Sequence, residues 1–257
     1  MPISGPEILL YEKKDGIVVI TLNRPERLNA LSHELQGRLE DAWARFAEDK
    51  DAKVAILTGA GEKAFCTGMD LKDQAERAEA AGTGAVNLRW GSLNVYKPII
   101  AAINGLAYGG GWKMAQDCDI RIAAEHAEFS TPEVKWGRGA PWAIPLLWMI
   151  PFGIALELLL TGEKIDAQRA REICFVNKVV PKERLMPEAI RMAKIICENA
   201  PLSVQAVKEM YYKARDTGYT AGLNMATYLW DKVYNSEDAI EGPKAFREKR
   251  KPEWQGK

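Results

Sequence analysis

Three apolar runs separated by helical segments limit this chain to a small set of folds. The runs IVVITL (17–22), KVAILT (53–58) and PIIAAI (98–103) have the length and the β-branched content of strands in a sheet core. Ser32 is the predicted N-cap of an amphipathic helix near 33–49. Because a helix between two strands gives a right-handed crossover, this half of the chain predicts a parallel sheet.

The second half of the chain changes to an almost entirely helical pattern. Helices are predicted over 183–199, 202–216, 220–235 and 238–249. A further helix with a break near Gly82–Gly84 is predicted over 70–96. We expect an α/β core over residues 1–195 and a helical region over residues 196–257, both parts of one fold unit.

Charge and cysteine content exclude several classes of protein. The 257 residues include 35 Lys+Arg and 35 Asp+Glu, and this balance disfavours nucleic-acid binding and polybasic membrane attachment. The four cysteines form no C-x-x-C pair, which indicates reduced thiols and no metal site. The N-terminus lacks the pattern of a secretory signal, so we expect a cytoplasmic protein.

One uncharged stretch, residues 139–156, reaches the lower length limit for a membrane span. Pro141, Pro145 and Pro151 interrupt it, and each would leave backbone groups unpaired in lipid. We therefore expect short helical pieces buried in protein, which form a pocket wall or a subunit contact.

Two glycine-bearing turns lie where an apolar strand leads into a helix. They are CTGMDL at 66–71 and NGLAYGGGW at 104–112. Each exposes backbone N–H groups at a helix N-terminus, and two such donors aimed at one oxygen form an oxyanion hole. Neither turn follows the G-x-G-x-x-G or P-loop pattern, which disfavours a nucleotide-phosphate site. A GGG run is also typical of tight packing.

Five segments, taken in order, match the pattern of one known family. They are TLNRPERLNALS (21–32), VAILTGAGEKAFCTGMDLKD (54–73), KPIIAAINGLAYGGGWKMAQDCDIRIAAEHAEFSTPEVKWG (97–137), LLLTGEKIDAQRAREICFVNKVV (158–180) and EGPKAFREKRKPEW (241–254). On these segments the chain resembles the crotonase (enoyl-CoA hydratase/isomerase) superfamily. The resemblance implies an α/β fold, a crotonase-like spiral of ββα units with a C-terminal helical trimerisation region. It also implies an acyl-CoA substrate, no cofactor other than the coenzyme A carried by that substrate, and a homo-oligomer, either a trimer or a dimer of trimers.

The resemblance also assigns the candidate site residues. Met69 and Gly110 would provide the oxyanion-hole amides, and Glu133 would be the acid/base. Thr131 is the predicted N-cap and Pro132 the first residue of the helix that carries Glu133, where a first-turn carboxylate is also favoured by the helix dipole alone. By the same resemblance, the substrate-binding positions are Arg27, Ala30, Met69, Asp70, Leu71, Lys72 and Gly110, with Phe246 and Lys249 reaching the CoA nucleotide.

Lys113 stands where hydratases of this family carry a first catalytic glutamate, twenty residues before Glu133. One alternative is that its cation holds Glu133 ionised and lowers the pKa of that carboxyl. A second is that Lys113 is desolvated, loses its proton and shares the acid/base work. A third is that Lys113 turns away and pairs with Glu128 or Asp117. The sequence leaves all three open.

The segment after Glu133 is expected to shape the acyl pocket. Trp136, Trp142 and Trp148 either fill part of the pocket or pack in the core. Arg138 either meets a carboxylate on the acyl group or forms a surface ion pair.

The sequence therefore predicts an enzyme of the lyase class that hydrates, dehydrates or isomerises an enoyl-CoA with one glutamate. The alternatives are a C–C lyase, hydrolase or decarboxylase on a CoA thioester, and a non-catalytic relative that binds CoA esters.

Overall fold

The computed structural model describes residues 7–73, 75–76 and 95–257. Two β-sheets form the α/β core. The larger sheet contains, in spatial order, β1 (Leu9–Lys14), β2 (Ile17–Leu22), β3 (Val54–Gly59), β5 (Ile99–Ile103), β7 (Ile120–Ala124) and β10 (Lys178–Val180). The smaller sheet contains β4 (Ala64–Cys66), β6 (Leu106–Tyr108), β8 (Glu128–Ser130) and β9 (Lys164–Asp166).

The strand order explains how the chain winds. β1 and β2 form an antiparallel hairpin, and from β2 to β10 the larger sheet is parallel, as predicted. The pairs β3/β4, β5/β6 and β7/β8 each place their first strand in the larger sheet and their second in the smaller. Three successive repeats of this step produce the predicted spiral.

Nine α-helices lie wholly within the described ranges. They are α1 (His33–Glu48), α2 (Gly110–Asp117), α3 (Leu146–Met149), α4 (Phe152–Thr161), α5 (Ala167–Glu172), α6 (Leu185–Cys197), α7 (Pro201–Thr217), α8 (Tyr219–Tyr234) and α9 (Glu237–Glu248). Ser32 caps α1 as predicted, because its Oγ accepts a hydrogen bond from Leu35 N at 3.2 Å. The helix predicted over 70–96 lies largely outside the described residues, of which 71–73 and 75–76 are helical.

The two faces of the larger sheet bury different elements. Alternate residues of β3 separate the two cores, since Ala55 and Leu57 pack toward α1 and the smaller sheet while Val54 and Ile56 pack against α6. Helices α7 and α8 pack mainly on each other. None of the helices in the described ranges combines the length and hydrophobicity that a bilayer crossing requires.

The uncharged stretch 139–156 is broken into short helical pieces, as predicted, and the single chain buries it only in part, so the expected pocket wall or subunit contact stays a prediction. Ile144, Trp148 and Phe152 are each more than half exposed. The prolines place these pieces at the surface, so that only some of their apolar side chains, such as Ala143 and Leu146, reach the core.

Candidate active site

The two glycine turns predicted from the sequence lie against each other. Gly68 has a φ of +91°, and a Cβ atom there would be 3.2 Å from Gly110 N and 3.0 Å from Tyr108 O. Only a residue without a side chain permits this approach. The close packing places the residue after Gly68, Met69, next to the start of α2.

The hydrogen-bond pattern orients the amides of Met69 and Gly110. Leu31 and Met69 form a single parallel bridge, in which Leu31 N donates to Gly68 O (2.8 Å) and Asp70 N donates to Leu31 O (3.0 Å). In this pattern the Met69 N–H points away from Leu31. Gly110 is the first residue of α2, so its N–H has no acceptor inside the helix. The arrangement therefore offers two backbone donors to an outside oxygen.

Glu133 lies across the N-terminus of α2 from these amides. Its Oε1 is 2.8 Å from the position that a Cβ atom on Gly109 would occupy. Its Oε2 is buried and has no hydrogen-bond partner in the described part of the chain. Burial raises the pKa of this carboxyl, because the charged form is separated from water. A carboxyl of this kind can exchange a proton with a bound molecule.

The local structure around Glu133 differs from the prediction in one respect. Pro132 begins the segment as expected, but residues Pro132–Trp136 form a 3₁₀ helix and Thr131 makes no capping hydrogen bond. The Thr131 hydroxyl instead donates to Leu158 O at 3.2 Å, which ties the segment to α4. Gly109 N also donates to Ser130 O at 2.9 Å, so β8 is attached directly to the start of α2. These bonds fix Glu133 relative to Gly109.

A buried cluster of three aromatic side chains packs between α2 and β8. Trp112 lies 5.7 Å from Phe129 and 5.2 Å from Phe175, measured between ring centroids, and the two phenylalanines are 5.5 Å apart. All three side chains are fully buried. The cluster therefore packs the helix that carries Gly110 against the strand that leads to Glu133.

Lys113 is buried on α2 and paired with an acid. Its Nζ lies 2.6 Å from Asp117 Oδ2, so the lysine pairs with Asp117, one of the two partners named in the third alternative. Glu128, the other candidate, accepts instead from the Tyr108 hydroxyl (2.7 Å) and from Lys164 (2.9 Å). Burial raises the pKa of Asp117, although the charges of Lys113 and Lys208 oppose this effect.

Of the three alternatives for Lys113, the one in which its cation lowers the pKa of Glu133 is wrong. That pKa is raised by burial, and the effect that opposes it is a hydrogen bond to the backbone of Glu133 itself. The cation of Lys113 is directed to Asp117 on its own helix.

The segment 70–72 is held by an ion pair that the sequence did not indicate. Arg24 Nη2 lies 3.0 Å from Asp70 Oδ2, and both side chains are largely buried. Burial of Asp70 opposes its ionisation, but the hydrogen bond from Arg24 keeps the pKa of this carboxyl below its usual value. The two residues are 46 positions apart, so no local pattern could have paired them. Leu71 and Lys72 are exposed beside them.

The remaining predicted binding residues lie at several places on the surface. Arg27 is exposed and Ala30 is half-buried, and Ala30 O accepts a hydrogen bond from Arg24 Nη1 of the Asp70 ion pair. Trp136 is 69% exposed, and Arg138 is half-buried and donates from its backbone N to Glu133 O at 2.9 Å. The described contacts therefore bind the Arg138 backbone to the Glu133 segment and leave the Trp136 side chain exposed.

Phe246 and Lys249 lie on α9 and at its C-cap. Phe246 is 87% exposed and Lys249 is also exposed. The described residues of this one chain bring neither of them to the glycine turns.

A comparison with family models gives a match across this architecture. The model described as Enoyl-CoA hydratase/isomerase matches residues 12–257. The chain belongs to the enoyl-CoA hydratase/isomerase family.

Similar curated proteins agree with membership of the enoyl-CoA hydratase/isomerase family. The chain is 41% identical to an (E)-benzylidenesuccinyl-CoA hydratase of Thauera aromatica, over 95% of this chain and 98% of that protein. It is 37% identical to a carnitinyl-CoA dehydratase of Citrobacter koseri, over 98% and 99% respectively.

Solved structures of the enoyl-CoA hydratase/isomerase family confirm the predicted fold. An enoyl-CoA hydratase from Bacillus anthracis superimposes with a TM-score of 0.91 at 36% identity, covering 98% of this chain and all of that one. An enoyl-CoA hydratase from Mycobacterium tuberculosis gives 0.90 at 36% identity, covering 97% and 99%. The chain is an enzyme of the enoyl-CoA hydratase/isomerase type.

Proposed function

We propose that this enzyme adds water to, or removes water from, an α,β-unsaturated acyl-CoA thioester. The amides of Met69 and Gly110 hold the thioester oxygen, and Glu133 is the single acid/base. The observation that carries the proposal is the Glu133 carboxyl, whose Oε1 lies beside Gly109 and whose buried Oε2 has no hydrogen-bond partner among the described residues. The names of two relatives, a hydratase and a dehydratase, support a reaction of this class.

The chemistry needs both parts of this arrangement. Water adds to the β-carbon, the double-bond electrons move onto the thioester oxygen, and the resulting enolate takes a proton at the α-carbon. Two N–H donors stabilise the oxyanion, and losing one typically costs about 2.7–4 kcal/mol in the barrier. Glu133 accepts the proton of the attacking water and returns a proton to the α-carbon. A carboxyl whose pKa is raised by burial suits this exchange.

Isomerisation of the double bond is the second candidate function. It needs one base that moves a proton between two carbons of the acyl chain, while the same two amides hold the enolate. The presence of Lys113 where hydratases of the family carry another glutamate favours this alternative. The two reactions differ in product, since only hydration forms a hydroxyacyl thioester.

Replacement of Glu133 by Gln tests the proposal directly. The variant keeps the size of the side chain but loses proton transfer, so hydration of crotonyl-CoA should fall about 10²–10⁴-fold. Glu163→Gln is the matched control, because this carboxylate is exposed and pairs with Lys135. Loss of the conjugated-thioester absorbance reports reaction of the double bond. Mass spectrometry then separates hydration, which adds the mass of water, from isomerisation, which leaves the mass unchanged. Full activity of Glu133→Gln would refute the assignment.

The exposed apolar surface supports a homo-oligomer, which we propose to be a trimer or a dimer of trimers. Phe152, Leu156 and Leu160 form one exposed row on α4, and Trp148 of α3 is exposed as well. A monomer rarely exposes such a contiguous apolar surface. In this assembly Phe246 and Lys249 would reach the CoA nucleotide of a neighbouring copy. Light scattering that gave the 28.6 kDa monomer mass at micromolar concentration would contradict this proposal.

A further inference from the structure

The backbone of Arg24 is fixed by a turn that lies beside the candidate active site. Asn29 N donates to Arg24 O at 2.9 Å, and Arg24 N donates to Asn29 Oδ1 at 3.0 Å. The buried Asn29 side chain also donates to Ala64 O at 2.8 Å, which attaches the turn to β4. Leu28 has a φ of +51°, a conformation that a leucine keeps only where surrounding contacts hold it. The turn therefore presents the Arg24 side chain from a fixed backbone.

The guanidinium of Arg24 contacts both segments that meet at the Leu31/Met69 bridge. Its Nη1 donates to Ala30 O, on the residue before Leu31. Its Nη2 lies 3.0 Å from Asp70 Oδ2, on the residue after Met69. A guanidinium presents its donors as a rigid planar fork, so one side chain holds both segments in a fixed relative position.

Two peptide groups connect the guanidinium of Arg24 to the Met69 amide. The C=O and the N–H of a trans peptide group lie in one plane and point in opposite directions. The group that accepts from Arg24 at Ala30 O carries the Leu31 N–H, which donates to Gly68 O at 2.8 Å. The peptide group of Gly68 O carries the Met69 N–H. The chain of hydrogen bonds therefore begins at a cation and ends at the N–H that is proposed to hold the thioester oxygen.

A chain of this kind controls both the direction and the strength of its last donor. Because Gly68 O is held by Leu31 N, the Met69 N–H on the same peptide group points the opposite way. Hydrogen bonds in series polarise one another, and a charged first donor forms a stronger bond than a neutral one. Leu31 and Gly68 are buried and the Arg24 side chain is only 15% exposed, so water screens the chain little.

We propose that Arg24 is a positioning residue for the reaction, which orients and polarises the Met69 N–H through the two intervening peptide groups. This inference rests on the proposed function, since it assumes that the Met69 N–H holds the thioester oxygen. It gives the Arg24–Asp70 ion pair a role in the rate of the reaction as well as in stability. Arg24 acts through the Met69 amide, and the proton transfer remains with Glu133.

Kinetics of Arg24→Met test the proposal. The variant keeps an unbranched apolar side chain but removes every donor, so the Met69 amide loses both its orientation and its polarisation. Turnover of crotonyl-CoA should fall about 10–10²-fold in kcat, because the amide is displaced and not removed. KM should change by less than about threefold, since the oxyanion forms only in the transition state. A kcat within about threefold of the wild-type value would overturn the proposal.

A second variant and a control separate positioning from stability. Arg24→Met leaves the Asp70 carboxylate without its ion-pair partner, and Arg24→Met/Asp70→Asn removes that charge. The double variant should regain stability in urea unfolding but keep the low kcat. Glu188→Gln is the matched control, because its carboxylate is 9% exposed against 12% for Asp70, pairs with Arg191, and lies on α6 across the larger sheet. This control should lose stability and keep its kcat. Recovery of kcat together with stability in the double variant would overturn the proposal.

Infrared spectra of a bound thioester test the amide without turnover. With crotonyl-CoA isotope-labelled at the thioester carbonyl and bound to Glu133→Gln, the C=O stretch should shift to lower frequency, because two N–H donors polarise the bond. Addition of Arg24→Met should remove much of this shift, and addition of Glu188→Gln should leave it. A shift that depends on Arg24 supports the proposal even if the reaction is not hydration.

The same spectra distinguish failure of this proposal from failure of the proposed function. An unchanged shift in Glu133→Gln/Arg24→Met would overturn the role of Arg24 and leave the amide assignment intact. Absence of the shift in Glu133→Gln itself would overturn the amide assignment and the role of Arg24 together.

Discussion

One added methyl group at Gly109 should remove most of the activity of this enzyme while leaving the fold intact. A Cβ atom at this position would lie 2.8 Å from Glu133 Oε1. To reach an ordinary contact distance of about 3.4 Å, the carboxylate must move by about 0.6 Å. Because Oε1 is the end of a flexible side chain, the carboxylate moves and the backbone does not. A misplacement of about 1 Å costs about 10²-fold in rate, so Gly109→Ala should lower kcat about 10–10²-fold.

The same substitution also carries a backbone cost, which a control can separate. Gly109 has φ +50° and ψ −115°, a conformation that costs a residue with a Cβ about 1–3 kcal/mol. Gly218 has φ +73° and ψ 170°, and nothing lies within 4 Å of its Cβ position. Gly218→Ala should therefore lose comparable stability in urea unfolding but keep its kcat. A kcat for Gly109→Ala within threefold of that control would refute the reasoning.

A double-mutant cycle identifies the cause of the loss. If the methyl group acts by displacing Glu133, then Gly109→Ala should cost nothing further in a Glu133→Gln background. If the same loss appears again there, the perturbation acts through the Gly110 amide instead.

Two further predictions concern ionisation. The raised pKa of Glu133 means that the folded state releases this proton less readily than the unfolded chain, so the carboxyl destabilises the fold increasingly as pH rises from the ordinary glutamate pKa through the raised value. Glu133→Gln should therefore raise the Tm at pH 8 and leave it nearly unchanged at pH 4, as measured by calorimetry; no gain at pH 8 would contradict the burial argument. The lowered pKa of Asp70 has the opposite sign, since its contribution is complete above the ordinary aspartate pKa and is lost as pH falls through the lowered value. Asp70→Asn leaves Arg24 without its ion-pair partner. The variant should lower the free energy of unfolding, measured in urea, by about 1–3 kcal/mol at pH 7 and by less at pH 3. Equal losses at the two pH values would exclude the ion pair as the cause.

Periodicity predicted the elements that are long enough to carry a period. The strand predicted over 53–58 is β3, displaced by one residue. It could be predicted because all six of its residues are buried and are apolar or small. The four C-terminal helices begin and end within two residues of the predicted bounds. In each case the local pattern and the tertiary packing favour the same structure.

The sequence could not indicate features that depend on contacts between distant segments. The strands of the smaller sheet have three residues each, too few for alternation to be recognised. Thr131 precedes a proline and is therefore predicted to be an N-cap. Its hydroxyl instead donates to Leu158 O on α4, 27 residues away. The unpaired amide of Gln116 is evident only after the helix is packed, because the residue is buried by neighbours distant in sequence.

The division of roles along α2 explains how one family member can carry a lysine where a glutamate is expected. In the proposed mechanism the thioester oxygen is held by backbone N–H groups, whose positions depend on the close approach of Gly68 to Gly110. A different side chain at position 113 therefore leaves these backbone donors in place. In this chain Lys113 pairs with Asp117, and the side-chain amide of Gln116 has no hydrogen-bond partner among the described residues. Removing either partner of this buried ion pair would leave an uncompensated charge, which is costly for folding.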